Sequence, residues 1–165
     1  MLLLKLTLPV VLFCLLLKGT NVLSYTIIKK KVLKSRVWDL NICCGGTDGG
    51  GINADIVRYK ELPNFVLTKD IYNLPFADKQ FSHILTSHTI EHIDDPGAFI
   101  KELNRVGENI TILVPPLWDL SAALNFLEHK WLFLTFRTKV DVLPRYVRLP
   151  LANWYQSNFG QRIKS

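Results

Sequence analysis

The sequence predicts an α/β fold, with a mostly parallel sheet, flanking helices and a separate apolar helix at the N-terminus. Three observations carry this. Short apolar runs recur at 36–42, 52–56, 65–68, 81–86 and 109–114. The run 81–86 is mostly apolar, as expected of a strand covered on both faces. An amphipathic helix lies between the last two runs, and strands spaced by helices or loops predict a parallel sheet.

The N-terminal arm, residues 1–35, comes first. Leu6 to Leu17 is apolar apart from Thr7 and Pro9, and Lys5 and Lys18 bracket it. Its length falls short of the roughly 20 apolar residues of a full span, so three readings stay open. It is a membrane anchor with part of 19–28 embedded, a signal peptide ending near Val22-Leu23-Ser24, or a helix packed on the body. The cluster Lys29-Lys30-Lys31, Lys34 and Arg36 follows. Such a cluster holds the body on the cytosolic side if the arm is an anchor.

The body, residues 36–165, opens with the strand Arg36–Ile42. A glycine turn, Cys43-Cys44-Gly45-Gly46, follows. Ile52–Ile56 is the second strand. Only Cys43–Gly50 separates the two, too little for the dozen or more residues of a usual parallel crossover. The first helix is therefore expected to shrink to a turn. Phe65–Thr68 and Phe81–Thr86 follow as strands. Asp95 then caps a helix that has Pro96 in its first turn and Phe99, Leu103 and Val106 on one face, with Gly107 as its stop. Asn109–Val114 is the fifth strand, ended by Pro115-Pro116. Half of the 18 aromatic residues lie between Trp118 and Phe159, where Trp131–Phe136 is expected to form one more strand. These aromatics fill the outer core or cap a substrate.

The net charge is +6, but residues 1–36 hold seven Lys/Arg and no acid, while the remainder holds 13 basic and 14 acidic residues. A nearly neutral body does not carry the clustered cations that bind nucleic acid. Three cysteines, Cys14, Cys43 and Cys44, make no disulfide framework and suit a reducing compartment.

In doubly wound sheets ligands bind at the carboxyl ends of the strands. Gly45 and Gly46 let the backbone approach a ligand there. Asp55, ending the second strand, is placed to accept hydrogen bonds from two ribose hydroxyls. Asp70, after the third, is placed to accept from the amino group of an adenine, and Ile71 beside it offers a backbone N–H and an apolar surface. The glycine run Gly49-Gly50-Gly51 precedes a strand rather than following one, which argues against a dinucleotide fingerprint.

This order, continued by Leu74-Pro75-Phe76-Ala77-Asp78, Ser87-His88 and Glu91-His92, resembles the class I S-adenosylmethionine-dependent methyltransferases, most closely the type 11 group. The resemblance spans residues 36–116. It implies a Rossmann-like fold, S-adenosyl-L-methionine as cofactor, and methyl transfer to a small-molecule, lipid or saccharide acceptor. It implies that Asn41, Cys43, Cys44 and Gly45 lie against the methionine part, that Asp55 and Asp70 take the ribose and adenine, with Ile71, and that Ser87 and His88 close under the sulfonium. Candidate bases are His88, Asp119 and His129. The transfer itself requires no metal. The chain departs from the family at Cys43, where glycine is usual, at Ser82, where aspartate is common, and in the short first crossover. These departures leave open a domain that binds the cofactor without turnover.

His88-Thr89-Ile90-Glu91-His92 also matches the H-x-x-E-H zinc hydrolase pattern, with Glu128 as a conceivable third ligand. The pattern begins where an apolar strand ends, and Pro96 stands close behind, so a ligand-bearing helix is not expected. The expected location is the membrane, through residues 1–36, with the body facing the cytosol. The alternatives are a cytoplasmic protein, or a secreted one if residues 1–24 are a signal peptide.

Overall fold

A computed structural model of the chain describes residues 2–125 and 127–159. The last positions assigned to the body, 160–165, lie outside the described residues. Helix α1 (Leu2–Asn21) continues through a π-helical stretch (Val22–Ile28) into α2 (Lys29–Leu33). The strands β1 (Trp38–Ile42), β2 (Gly50–Asp55), β3 (Phe65–Leu67), β4 (Phe81–Ser87) and β5 (Gly107–Leu113) are all parallel. Helix α3 (Pro96–Val106) joins β4 to β5. Beyond β5 come α4 (Leu120–Ala123), β6 (Trp131–Phe133), β7 (Lys139–Val140), β8 (Tyr146–Arg148) and α5 (Ala152–Phe159). The main sheet runs β3-β2-β1-β4-β5-β7, with β7 antiparallel to β5, and β6 pairs with β8 in a separate antiparallel ribbon. This is the expected Rossmann-like arrangement.

Alternation along the strands sends neighbouring side chains to opposite faces. On one face Leu40, Ile42, Ile84 and Ile112 pack with Phe99, Leu103 and Val106 of α3. On the other, Leu85 and Leu113 meet Val32 and Leu33 of α2, and Trp38, at the first position of β1, joins this cluster and donates its indole N–H to the Leu33 carbonyl at 3.2 Å. The arm is thus part of the sheet's second cover at its C-terminal end. Before that, Leu8, Val10–Phe13, Leu15 and Leu16 are all exposed.

Helix α3 starts as its sequence requires, with the Asp95 carboxylate accepting from Ala98 N–H at 2.9 Å and Pro96 in the first turn. It stops at Gly107, as expected. Gly107 is extended rather than left-handed and opens β5 directly. The crossover from β1 to β2 has no helix, as the spacing demanded. Two buried asparagines pin it instead. Asn41 donates to Thr47 O at 2.8 Å and to Asn53 Oδ1 at 3.2 Å, while Asn53 Oδ1 accepts from Gly49 N–H and Asn53 Nδ2 donates to Asp48 and Pro63. The glycine run also has its cause here. A Cβ on Gly51 would fall 2.8 Å from the Asp39 carbonyl oxygen, so only glycine lets β2 start this close to β1.

The Trp131–Phe136 strand is shorter than expected and leaves the main sheet. Phe133 turns into the core, and Tyr146 packs against it and against Trp131 at 5.8 and 5.2 Å between ring centroids. These three aromatics are ordinary core. Phe136, Trp154 and Phe159 are exposed.

The segment Leu74–Asp78 is fastened to α3 by Arg105. Its guanidinium donates to Glu102, to Asp78 Oδ1 at 2.7 Å, and to the Phe76 and Leu74 carbonyls, while Glu102 Oε1 accepts from Leu74 N–H at 2.7 Å. The Arg105 guanidinium holds the Glu102 carboxyl below its usual range.

Candidate functional site

The carboxyl ends of β1, β2 and β4 border a cleft of about 910 Å³. The turn Cys43–Thr47 forms one wall. Asp55 and Ile56 follow from β2, Ile71 from the segment after β3, and Ser87, His88 and Thr89 from the end of β4. The N-terminal arm adds Tyr25, Thr26, Lys29 and Lys30, and the loops after β4 and before β6 add His92, Glu128 and Lys130.

Asp55 is buried, and both its oxygens are engaged. Oδ2 accepts from Gly45 N–H and Oδ1 from Ile56 N–H, each at 2.8 Å. The first contact joins the tip of β2 to the glycine turn after β1. Gly45 needs its left-handed backbone (φ 56°), and no atom lies within 4 Å of where a Cβ would stand, so the space over it is open. Cys43 adopts the same region (φ 53°) without being glycine. For an L-residue that conformation costs about 1–2 kcal/mol. Burial, with the Asp55 charge behind it, pushes the Cys43 thiol well above its usual range and the Cys44 thiol to about 12. Both stay protonated near neutrality, and both are free thiols.

Ser87 and His88 end β4 inside the cleft. His88 is left-handed (φ 52°), and its Nδ1 lies 3.0 Å from Ser87 Oγ. Its Nε2 is buried with no partner among the described residues. The Tyr25 ring stands edge-on to it at 4.6 Å. Burial, with the Lys29 ammonium adding to it, lowers the His88 pKa to about 3. The imidazole is neutral at physiological pH, and with Nδ1–H donating to Ser87 Oγ its Nε2 presents a lone pair.

The residues expected to act together divide. Cys43, Cys44, Gly45, Asp55, Ile71, Ser87 and His88 line the cleft. Asn41 does not, since its amide is spent on the crossover loop. Asp70 stands on the same edge of the sheet but is exposed, its carboxylate folded back on Tyr72 N–H at 2.8 Å. Asp119 lies outside the lining and caps α4, accepting from Ala122 N–H, Ser121 Oγ and Asn21 Nδ2. His129 is buried behind the cleft, its pKa lowered to about 3 by burial. The H-x-x-E-H helix does not form. Residues 88–92 make turns, because β4 has only just ended and α3 begins at Pro96.

Tyr25, Thr26, Lys29 and Lys30 were not among the expected site residues. The signal was present as polar residues at helical spacing in an otherwise apolar arm. Glu91, in the turn after β4, is 1% exposed, and burial pushes its carboxyl up to about 7.

Residues 50–113 match the family model described as a methyltransferase domain, so the resemblance is matched over β2–β5, with β1 and the glycine turn outside the matched range. No curated protein matches the chain. Among solved structures, a SAM-dependent methyltransferase from Aquifex aeolicus aligns at 18% identity and a TM-score of 0.45, covering 59% of this chain and 68% of that one. One from Thermotoga maritima aligns at 20% and 0.46, covering 61% and 55%. A Pyrococcus horikoshii protein aligns at 17% and 0.47, covering 86% and 81%. The chain spans about half to two thirds of the length of the first of these relatives.

Proposed function

We propose that the chain transfers a methyl group from S-adenosyl-L-methionine to a small-molecule, lipid or saccharide acceptor. The observation that carries this reading is the joint between Asp55 and the glycine turn. A buried carboxylate at the tip of β2 is held by Gly45 N–H at 2.8 Å, beside open space, in a cleft whose volume suits a cofactor. The residues present fit the group. The Asp55 oxygens keep lone pairs toward the cleft for ribose hydroxyls. Ile71 gives an apolar wall for a base. Gly45 admits a chain close to the backbone.

The cofactor supplies a methyl group already activated on a sulfonium, and the protein's share is alignment and exclusion of water. His88 serves this share by position. A pKa of about 3 makes it a poor proton acceptor near neutrality, where a base is best matched to the working pH. Its unpartnered Nε2 instead takes a hydrogen bond from the acceptor's O–H or N–H and aims the atom that attacks.

A second reading, cofactor binding without turnover, draws on Cys43, whose side chain stands in the lining where the family has glycine. Titration with S-adenosylmethionine and S-adenosylhomocysteine, followed by an acceptor panel, separates the two. Binding with methyl transfer is expected. Binding without transfer supports the second reading, and no binding of either compound defeats both.

The arm fits a membrane anchor. Helix α1 has 20 residues, a rise of about 30 Å and the thickness of a bilayer core. By length and composition the helix over Leu8–Leu33 qualifies to cross a membrane, and its exposed apolar part, Leu8–Leu16, precedes the stretch that lines the cleft and covers the sheet. Its basic end then keeps the body cytosolic. Retention of the full chain in the membrane pellet after a salt wash is the expected result, and recovery in the wash would refute the anchor.

A further inference from the structure

Three polar side chains meet beside the cleft, where the loop after β4 touches the loop before β6. Neither carboxylate oxygen of buried Glu91 has a partner among the described residues, and His129, 5% exposed, has none at Nδ1. The His92 Nδ1 donates to the Glu128 carbonyl oxygen at 2.9 Å. A carbonyl only accepts, so Nδ1 carries the hydrogen and Nε2 presents a lone pair. That Nε2 lies 4.0 Å from Glu91 Oε1, and the His92 and His129 rings are 4.7 Å apart. One donor atom from each residue falls within 4.8 Å of the other two. Burying such groups without partners costs stability, and a single dication satisfies all three.

We propose that Glu91, His92 and His129 bind a divalent transition metal of the zinc class, tying the loop after β4 to the loop before β6. Two imidazoles and a carboxylate form a donor set suited to zinc, with the fourth position left to water. Bonds of about 2.0–2.2 Å bring the donors together by roughly 1 Å. The partly exposed His92 ring has room for this, and the Glu128 carbonyl fixes its tautomer as an outer-shell partner does. The site is not the H-x-x-E-H pattern, since His88 takes no part and the second histidine comes from the other loop. It stands independently of methyl transfer.

The test uses the full chain in detergent, stripped with chelator and titrated with zinc, read by elemental analysis and calorimetry. One zinc per chain is expected. Glu91→Gln and His92→Ala each weaken it about tenfold or more, with circular dichroism confirming that His92→Ala is folded. Cobalt(II) in the wild type gives visible bands of a tetrahedral site that both variants lose. A Cys43→Ser/Cys44→Ser variant keeps the zinc. Substoichiometric zinc in the wild type, unchanged affinity in both ligand variants, or loss in the cysteine variant overturns the site.

Discussion

The Arg105 latch and the end of β4 handle buried polar groups in opposite ways. At the latch the Glu102 carboxylate takes the Arg105 guanidinium and Leu74 N–H, and its pKa falls. In the turn after β4 the Glu91 carboxylate is enclosed and has a raised pKa, and among the described residues it has no hydrogen-bond partner, while His88 and His129 each keep a nitrogen unpaired. A satisfied network rigidifies a fold. An unsatisfied one is expensive, and such groups persist where a ligand or chemistry uses them. The sequence marks both segments with the same kinds of residue, so only the pairing separates support from site.

The largest expected effect comes from breaking the latch. Arg105→Ala removes the donor to five acceptors and should give the greatest fall in melting temperature among the variants named here, with S-adenosylhomocysteine affinity unchanged. A large loss of affinity in a folded variant would join the latch to the site. Asp55→Ala is next. It deletes the acceptor of the Gly45 and Ile56 N–H groups and of the proposed ribose contact. A charge-assisted hydrogen bond of about 1.5–3 kcal/mol corresponds to tenfold or more in affinity, measurable by calorimetry. Unchanged affinity would leave Asp55 as a loop anchor only.

Glutamine in place of each glutamate sharpens the contrast. Glu102→Gln should lower the melting temperature at neutral pH. Because its folded pKa is depressed, its contribution is complete above about 4.3 and lost as pH falls through the folded value, so the two curves converge in acid. Glu91→Gln in chelator-treated protein should leave stability unchanged or raise it, since it removes an enclosed carboxylate that lacks a partner. A marked loss would mean the Glu91 charge has a hidden counterpart. The smallest effect is at Cys43. Cys43→Gly relieves a left-handed backbone, but glycine adds about 0.5–1 kcal/mol of chain entropy, so stability should barely move. Affinity for S-adenosylhomocysteine should rise a few-fold if the thiol crowds the cleft, and equal affinity would exclude crowding.

The sheet was legible because its signals are local. Strand runs such as 81–86, the Asp95-Pro96 start of α3 and the short Cys43–Gly50 spacing each limit nearby backbone directly. The site was legible in part for the same reason, since Gly45, Asp55, Ile71, Ser87 and His88 all sit at strand ends whose direction the parallel order fixes. Asn41 and Asp70 show the limit. Both have the right type and spacing, yet their side chains are taken up by Asn53 and by Tyr72 N–H, and a sequence does not reveal which neighbour claims a polar group.

Sequence by itself determined the parallel order, the missing first helix and the apolar, basic-ended arm, because periodicity, chain length and charge act at short range. Tertiary structure alone decided that the arm's Tyr25 and Lys29 reach the cleft, and that Glu91 and His92 meet His129 from another loop. Those meetings depend on how two sheet faces are covered, a balance of packing over the whole chain that no local stretch encodes.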